Sequence, residues 1–172
     1  YLHAADGTRF LDLVNNVSHV GHCNPYVVDA GQRQMELLNT NSRYLYGNLT
    51  DYLSRISETL PEGICVGFLV NSGSEANELA VRLARAYTGL YDMAVVDGAY
   101  HGHTGMLIDL SPYKFRGPGG RGSPEPWVHV LPIPDSYRRG GEDFTTEAES
   151  ALEGADGVAG LLIETMLSCA GQ

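Results

Sequence analysis

Three short stretches of this chain carry side chains that could do chemistry. The first is Asn71-Ser72-Gly73-Ser74-Glu75-Ala76-Asn77, set between an apolar run and a helical pattern. Gly73 would let the backbone approach a ligand closely. The first N–H groups of a helix lack intrahelical partners, and the hydroxyls of Ser72 and Ser74 add donors, so the turn suits a phosphate. The same residues also spell a capping box, Ser72-x-x-Glu75, which closes a helix start with no ligand at all. Spacing leaves both readings open. It does exclude a P-loop, because no Gly-Lys-Ser/Thr follows.

The second stretch, Tyr100-His101-Gly102-His103, lies just past an apolar run ending at Val96. An aromatic ring there can stack on a flat heterocycle while a histidine hydrogen-bonds beside it. His101 and His103, or His19 and His22, could instead ligate a metal, although no carboxylate completes an obvious set. The glycine content also permits a plain surface turn. The third candidate is Glu164, the first polar residue after Leu161-Leu162-Ile163. In an open parallel sheet, ligands sit outside the carboxyl ends of the strands, where all three stretches are expected. Taken alone, a carboxylate that ends a strand is equally at home in solvent. There is no Gly-x-Ser-x-Gly elbow, and no Ser-His-Asp order can be pinned down.

A scarce residue type narrows the chemistry. Ten of the 11 basic residues are arginine, and Lys114 is the single lysine. A reaction that needs an amine nucleophile must use Lys114 or a lysine from elsewhere. With 11 Lys+Arg against 21 Asp+Glu, a net charge of −10 and no basic run, the chain has no footprint for nucleic acid or an anionic membrane. Cys23, Cys65 and Cys169 are too few and too far apart for a disulfide framework or a CxxC site, which fits a reducing, cytoplasmic setting. No stretch approaches the roughly 18 apolar residues of a membrane span, and none resembles a signal peptide. The 172 residues can enclose a core, yet the chain opens on Tyr1 without an initiator methionine and stops at Gln172. It is therefore expected to be excised from something longer.

The elements that must position these residues follow from pattern. Residues 1–13 read as a hairpin about Asp6-Gly7. Asn24-Pro25 caps and opens a helix running toward Leu38, and a second helix is expected from about Thr50 to Leu60, ended by Pro61. From there the pattern becomes α/β. Val66–Val70 reads as a strand buried on both faces. A helix follows over Ser72–Tyr87, with Leu79, Leu83 and Ala86 on one face and Gly89 as its stop. Strands are expected at Met93–Val96, Trp127–Leu131 and Val158–Ile163, the last of them buried, and a helix at Asp143–Leu152. Gly98–Gly105 reads as a loop leaving a strand, and Gly117–Pro126 as an exposed loop or lid segment without regular structure. The alternation specifies an α/β fold: a mostly parallel sheet with helices on both faces.

These residues together resemble the class III aminotransferases, pyridoxal-phosphate enzymes of fold type I. The resemblance is carried by Asn71–Asn77 followed by Tyr100-His101-Gly102, by Asp6-Gly7 with Phe10-Leu11-Asp12, by Val20-Gly21-His22-Cys23-Asn24-Pro25, and by Ile163-Glu164. Residues 38–45, Ser111-Pro112-Tyr113-Lys114-Phe115 and residues 168–172 are similar to one branch. That branch holds ethanolamine-phosphate and phosphohydroxylysine phospho-lyases and alanine–glyoxylate-aminotransferase-like proteins.

The resemblance implies roles. Ser72, Gly73 and Ser74 would bind the phosphate of pyridoxal phosphate, Tyr100 would stack on its ring with His101 close by, and Glu164 would lie on the cofactor and substrate side of the cleft. Residues 1–60 would be an N-terminal arm and dimer-interface helices, and 61–172 the first half of the cofactor-binding large domain. The parent would be a homodimer moving an amino group from an amine or amino acid to a 2-oxo acid, or eliminating phosphate from an amino-phosphate ester. A non-catalytic module of a larger protein is the remaining alternative. The family also needs an aspartate on the pyridine nitrogen and a Schiff-base lysine, and both lie past the point corresponding to Gln172. No catalytic residue is therefore expected within this chain, which alone should be inactive, with Lys114 a surface or loop lysine. Pyridoxal phosphate added to the chain should leave no adduct that survives dialysis and vanishes in Lys114→Ala; a stable Lys114 adduct would overturn that assignment.

Overall fold

The computed structural model describes residues 1–13, 18–140 and 143–169. Ala170, Gly171 and Gln172, which end one of the branch-like segments, lie outside the described residues. The chain divides into two compact units, Tyr1–Cys65 and Val66–Gln172.

In the first unit, β1 (Leu2–His3) and β2 (Arg9–Phe10) pair antiparallel as the expected hairpin. Its turn is closed by Ala4 N donating to Thr8 O at 2.9 Å and by Thr8 N donating to Asp6 Oδ1 at 2.9 Å, the bond that holds the Asp6 carboxyl below its ordinary range. Helix α1 (Pro25–Leu37) starts where Asn24-Pro25 placed it: the Asn24 side chain accepts from Tyr26 N and Val27 N, and proline fills a position whose N–H would have had no partner. Helix α2 (Gly47–Ser57) begins and ends three residues earlier than its sequence pattern suggests, and Pro61 follows a short turn. Neither helix buries a residue.

The second unit is the α/β part. Helix α3 (Gly73–Thr88) is capped by Ser72 and ended by a left-handed Gly89. Strand β3 (Met93–Val96) is the centre of a three-stranded sheet, order β4-β3-β5, with β4 (Val128–Leu131) and β5 (Gly160–Leu162) both parallel to it. Two short helices that the sequence pattern does not announce, α4 (Gly105–Asp109) and α5 (Pro112–Phe115), sit between β3 and β4, and α6 (Phe144–Ala151) follows with Asp143 as its cap. The core gathers Val81, Met93, Val95, Leu107, Leu110, Val128 and Ala159. All four residues of β3 are buried, as a strand covered on both faces requires.

Three expectations are corrected. Val66–Val70 forms no strand; Val66 is 75% and Phe68 61% exposed. An apolar run specifies a segment that favours burial, but a strand also needs a neighbour's N–H and C=O groups, and no described segment pairs with this one. The last strand is shorter than Val158–Ile163 and half-exposed. Leu161 and Ile163, on one side of an edge strand, face outward, while Leu162 packs on the core. On α3 the buried stripe runs through Ser74, Val81 and the half-buried Asn77, Ala84 and Arg85, not through Leu83 and Ala86. Helical period alone fixes the angle between residues, and α3 has two stripes that satisfy it. The polar members of the buried one succeed because each finds a partner there: Asn77 a carbonyl, and Arg85 the Tyr91 and Trp127 rings, 3.7 and 4.7 Å from its guanidinium carbon.

The Gly117–Pro126 segment has no helix or strand and is largely exposed, as expected, but it is pinned. Gly122 N donates to Phe115 O at 2.7 Å, Gly117 N to Lys114 O at 3.2 Å, and Arg121 ties Asp109 to Glu125. At Gly120 a Cβ would fall 2.3 Å from Phe115 O and 2.4 Å from Lys114 O, so only glycine can lie against the end of α5. The segment acts as the C-terminal cover of α5.

Candidate functional site

The carboxyl ends of the three parallel strands and the start of α3 supply the candidate residues. At the start of α3, Ser72 Oγ accepts from Glu75 N at 3.1 Å. The reciprocal half of a capping box is shifted by one residue: the Glu75 carboxylate accepts from Asn71 N at 2.7 Å and from Asn71 Nδ2 at 3.1 Å. Glu75 thus turns back onto Asn71. The N–H groups of Gly73 and Ser74, at the first two helical positions, have no intrahelical acceptor, and open space surrounds Gly73. An anion fits there, aided by the helix dipole.

Ser74 has a different surrounding from the other two. It is buried, its Oγ accepts from His103 N at 3.3 Å, and it pairs with His103 Nδ1 at 3.2 Å. Its side chain therefore fastens the Tyr100–His103 loop to α3. Asn77 makes the second fastening, donating through Nδ2 to His101 O at 2.8 Å. Ser111 makes the third: its buried Oγ accepts from His101 N at 2.9 Å and donates to Leu107 O at 2.6 Å. Asn77 and Ser111 both lie within stretches that the sequence singles out, yet nothing in their spacing announces these bonds.

His101 is 6% exposed, and its Nε2 is buried without a hydrogen-bond partner. Burial pushes its pKa below the ordinary 6.5, opposed by the charge of Glu164. Glu164 is half-buried, close enough to act on His101 electrostatically, and its Oε2 accepts from Ser168 N at 2.7 Å. An orphaned ring nitrogen is what a histidine awaiting a ligand partner would show, since an unpaired buried polar atom costs about 1–3 kcal/mol. It also makes a pH prediction. The unfolded chain binds a proton at His101 more readily than the folded one, so stability is full above about pH 6.5 and falls as pH drops below it. Urea midpoints at pH 7.5 and 5.5 should show this loss in the parent sequence and a smaller one in His101→Gln. An equal loss in both would remove His101 from the explanation. The carboxyls held low by hydrogen bonds, at Asp135, Asp143 and Glu147, act in a separate and more acidic window.

Tyr100 is half-buried. Its ring meets Tyr113 edge-on, with centroids 6.4 Å apart and planes at 72°, and the Lys114 ammonium lies 5.5 Å from its centroid. Lys114 is thus exposed, as expected of a surface lysine, but it stands against the ring expected to stack on a cofactor. Asp97, the first polar residue after β3, is a site neighbour found by the same signal that marks Glu164. Its carboxylate pairs with Arg116 at 2.5 Å and accepts from Gly98 N at 2.8 Å. Among the described residues no three His, Cys, Asp or Glu side chains converge as metal ligands.

The arrangement joins Ser74 to His103 and holds the His101 backbone through Asn77 and Ser111, brings Glu164 within electrostatic reach of His101, and leaves Ser72 and Gly73 exposed at the α3 start. A phosphate-bearing aromatic cofactor fits these residues: free N–H groups for its anion, a half-exposed ring for stacking and an unpaired imidazole nitrogen.

Comparison with known proteins gives the family. A family model described as aminotransferase class-III matches residues 1–172. An alanine–glyoxylate aminotransferase 2-like protein of Drosophila melanogaster is 42% identical over 190 residues, covering 100% of this chain and 38% of the relative. Ethanolamine-phosphate phospho-lyase homolog 1 of Caenorhabditis elegans is 39% identical over 193 residues, covering 100% and 41%. Among solved structures, a phospholyase from Arthrobacter in complex with phosphoethanolamine superimposes with a TM-score of 0.78 at 34% identity, over 94% of this chain and 40% of that one. The chain thus spans about two fifths of the length of these relatives. With its α/β fold, its parallel sheet and a match across every residue, the chain belongs to the class III aminotransferase family.

Proposed function

We propose that this chain is the cofactor-holding N-terminal part of a pyridoxal-phosphate-dependent enzyme that transfers an amino group from an amine or amino acid to a 2-oxo acid. The observation that carries this reading is the fastening of the Tyr100–His103 loop to the start of α3 by the Ser74–His103 and Asn77–His101 bonds. When bound, pyridoxal phosphate supplies an electron-withdrawing ring that eases bond changes at the substrate carbon bearing the amine. Ser72, Gly73 and the backbone at Ser74 hold the phosphate at the helix start, and the Ser74 hydroxyl sets the loop that carries Tyr100 and His101. Tyr100 orients the heterocycle by stacking. His101, neutral because it is buried, offers Nε2 as a hydrogen-bond partner without adding charge, and Glu164 faces the substrate side. Residues 1–60 act as arm and dimer-interface helices; the exposed apolar side chains of Tyr26, Val27, Met35 and Tyr52 suit such a contact. Residues 61–172 form the first half of the large domain. The three unpaired cysteines support a cytoplasmic setting, and no helix among the described residues is long and apolar enough to cross a membrane.

A second reading, elimination of phosphate from an amino-phosphate ester, is favoured by the Arthrobacter phospholyase at 34% identity. The full-length protein decides between the two. Pyruvate-dependent transfer of the amine supports the aminotransferase, whereas release of phosphate and ammonia from phosphoethanolamine supports the lyase. Loss of cofactor absorbance on dialysis of the full-length protein would reject both.

A further inference from the structure

We propose that Met106 is a site of reversible oxidation by peroxide, and that Arg85 is placed to bind the sulfoxide oxygen that results. The inference stands apart from the amino-group chemistry above. Arg85 already reaches the sulfur, its Nη1 donating to Met106 Sδ at 3.3 Å. Its Nε donates to Tyr91 O at 2.8 Å, and its guanidinium carbon stands 3.7 Å from the Tyr91 ring centroid and 4.7 Å from that of Trp127. Two rings and a carbonyl thus hold the guanidinium without neutralising it. No carboxylate among the described residues pairs with it, and its Nη2 is buried without a hydrogen-bond partner. A thioether is only a weak acceptor. The half-buried cation therefore keeps donor capacity that its present surroundings leave unused.

The other three methionines lack this combination. Met35 is 69% and Met166 68% exposed, so oxidation there disturbs little packing, while Met93 is sealed in the core at 3%. Met106 is half-buried on α4 and packs against the core, which leaves it open to a small oxidant. Peroxide transfers one oxygen atom to the sulfur. The S–O bond forms as the O–O bond breaks, the sulfur gives up two electrons, and the other oxygen leaves as water with both protons. A sulfoxide reductase drawing on two thiols reverses the step, releasing water and a disulfide. A sulfoxide at a packed position ordinarily disrupts it, because a strong acceptor is left without a donor. Here the new oxygen meets a guanidinium with an open N–H and gains a charge-assisted bond. The state of Met106 bears on the candidate site through its neighbour. Leu107 is fully buried, and its carbonyl accepts from Ser111 Oγ at 2.6 Å, the same hydroxyl that holds His101 N. A sulfoxide bound by Arg85 keeps α4 seated on α3 and so keeps that anchor in place.

The test treats the full-length protein with dilute hydrogen peroxide and maps each methionine by mass spectrometry. Met35 and Met166 should gain oxygen first, Met106 next, and Met93 only on unfolding. Methionine sulfoxide reductase with a dithiol should return Met106 to the thioether. Oxidation order reports exposure alone, so stability supplies the deciding readout. Met106→Gln sets an amide oxygen within reach of Arg85, and Met106→Leu is the apolar reference of similar size. The urea midpoint of Met106→Gln should equal or exceed that of Met106→Leu, and in an Arg85→Met background it should fall below it. A second readout needs no Arg85 variant. The Leu110 amide, which donates to Met106 O at 3.2 Å, should exchange no faster in the oxidised protein than in the reduced one. Exchange at Leu110 faster by about tenfold after oxidation, the equivalent of about 1.4 kcal/mol, would overturn the proposal. So would a Met106 that resists peroxide until the protein unfolds, or a Met106→Gln midpoint below that of Met106→Leu with Arg85 intact.

Discussion

Gly102→Ala should lower the stability of the second unit by about 2–5 kcal/mol, the sum expected of backbone strain and overpacking. The backbone at Gly102 has φ +145°, a conformation that side chains disfavour, and a Cβ there would fall 2.6 Å from Leu107 Cδ1 and 2.8 Å from Ser74 Oγ. Leu107 is fully buried and has little room to retreat, and Ser74 Cα stands 3.1 Å away as backbone. Relief must come from lifting the Tyr100–His103 loop off α3, which breaks the Ser74–His103 and Asn77–His101 bonds. Two measurements check this. The urea midpoint should fall well below that of the parent sequence, and in the full-length protein cofactor affinity should fall with it. A variant with an unchanged midpoint would mean that the loop is not fastened as described.

The second large effect is expected at Ser111. Its hydroxyl is fully buried and serves two partners at once, accepting from His101 N and donating to Leu107 O. Ser111→Ala removes both bonds while water has no access, leaving a donor and an acceptor unsatisfied at a cost of about 1–3 kcal/mol each, less whatever the loop recovers by shifting. The loss should exceed that of Ser57→Ala, whose exposed hydroxyl donates to Ser54 O and can turn to solvent instead. Hydrogen exchange adds a local readout: the His101 amide should exchange faster in Ser111→Ala, while amides in the middle of β3 change only as far as global stability does. Equal protection of His101 in both proteins would show that Ser111 does not hold this loop.

Much of this organisation was legible from residue types and order. Local rules act within a few residues, so the Asp6-Gly7 hairpin, the Asn24-Pro25 cap, the Ser72 cap and the Gly89 stop could be read directly, and each appears where its chemistry puts it. The buried run of β3 and the alternation of strands and helices specified a parallel sheet. Motif order along the chain carried the family.

Contacts between segments distant in sequence were decided only in three dimensions. Ser74 to His103 spans 29 residues and His101 to Asn77 spans 24, distances over which no spacing rule applies. Which of two stripes of α3 turns inward depended on partners elsewhere in the fold. Val66–Val70 reads as a strand by pattern and is exposed because a strand is a relation between segments and not a property of one. Lys114 shows the division most clearly. As a sequence feature it was the only lysine, in a stretch that does not match the family's Schiff-base position. Tertiary structure placed its ammonium against Tyr100 and Tyr113 with no carboxylate to neutralise it, because α5 and its glycine-rich cover fold the chain back onto the loop leaving β3.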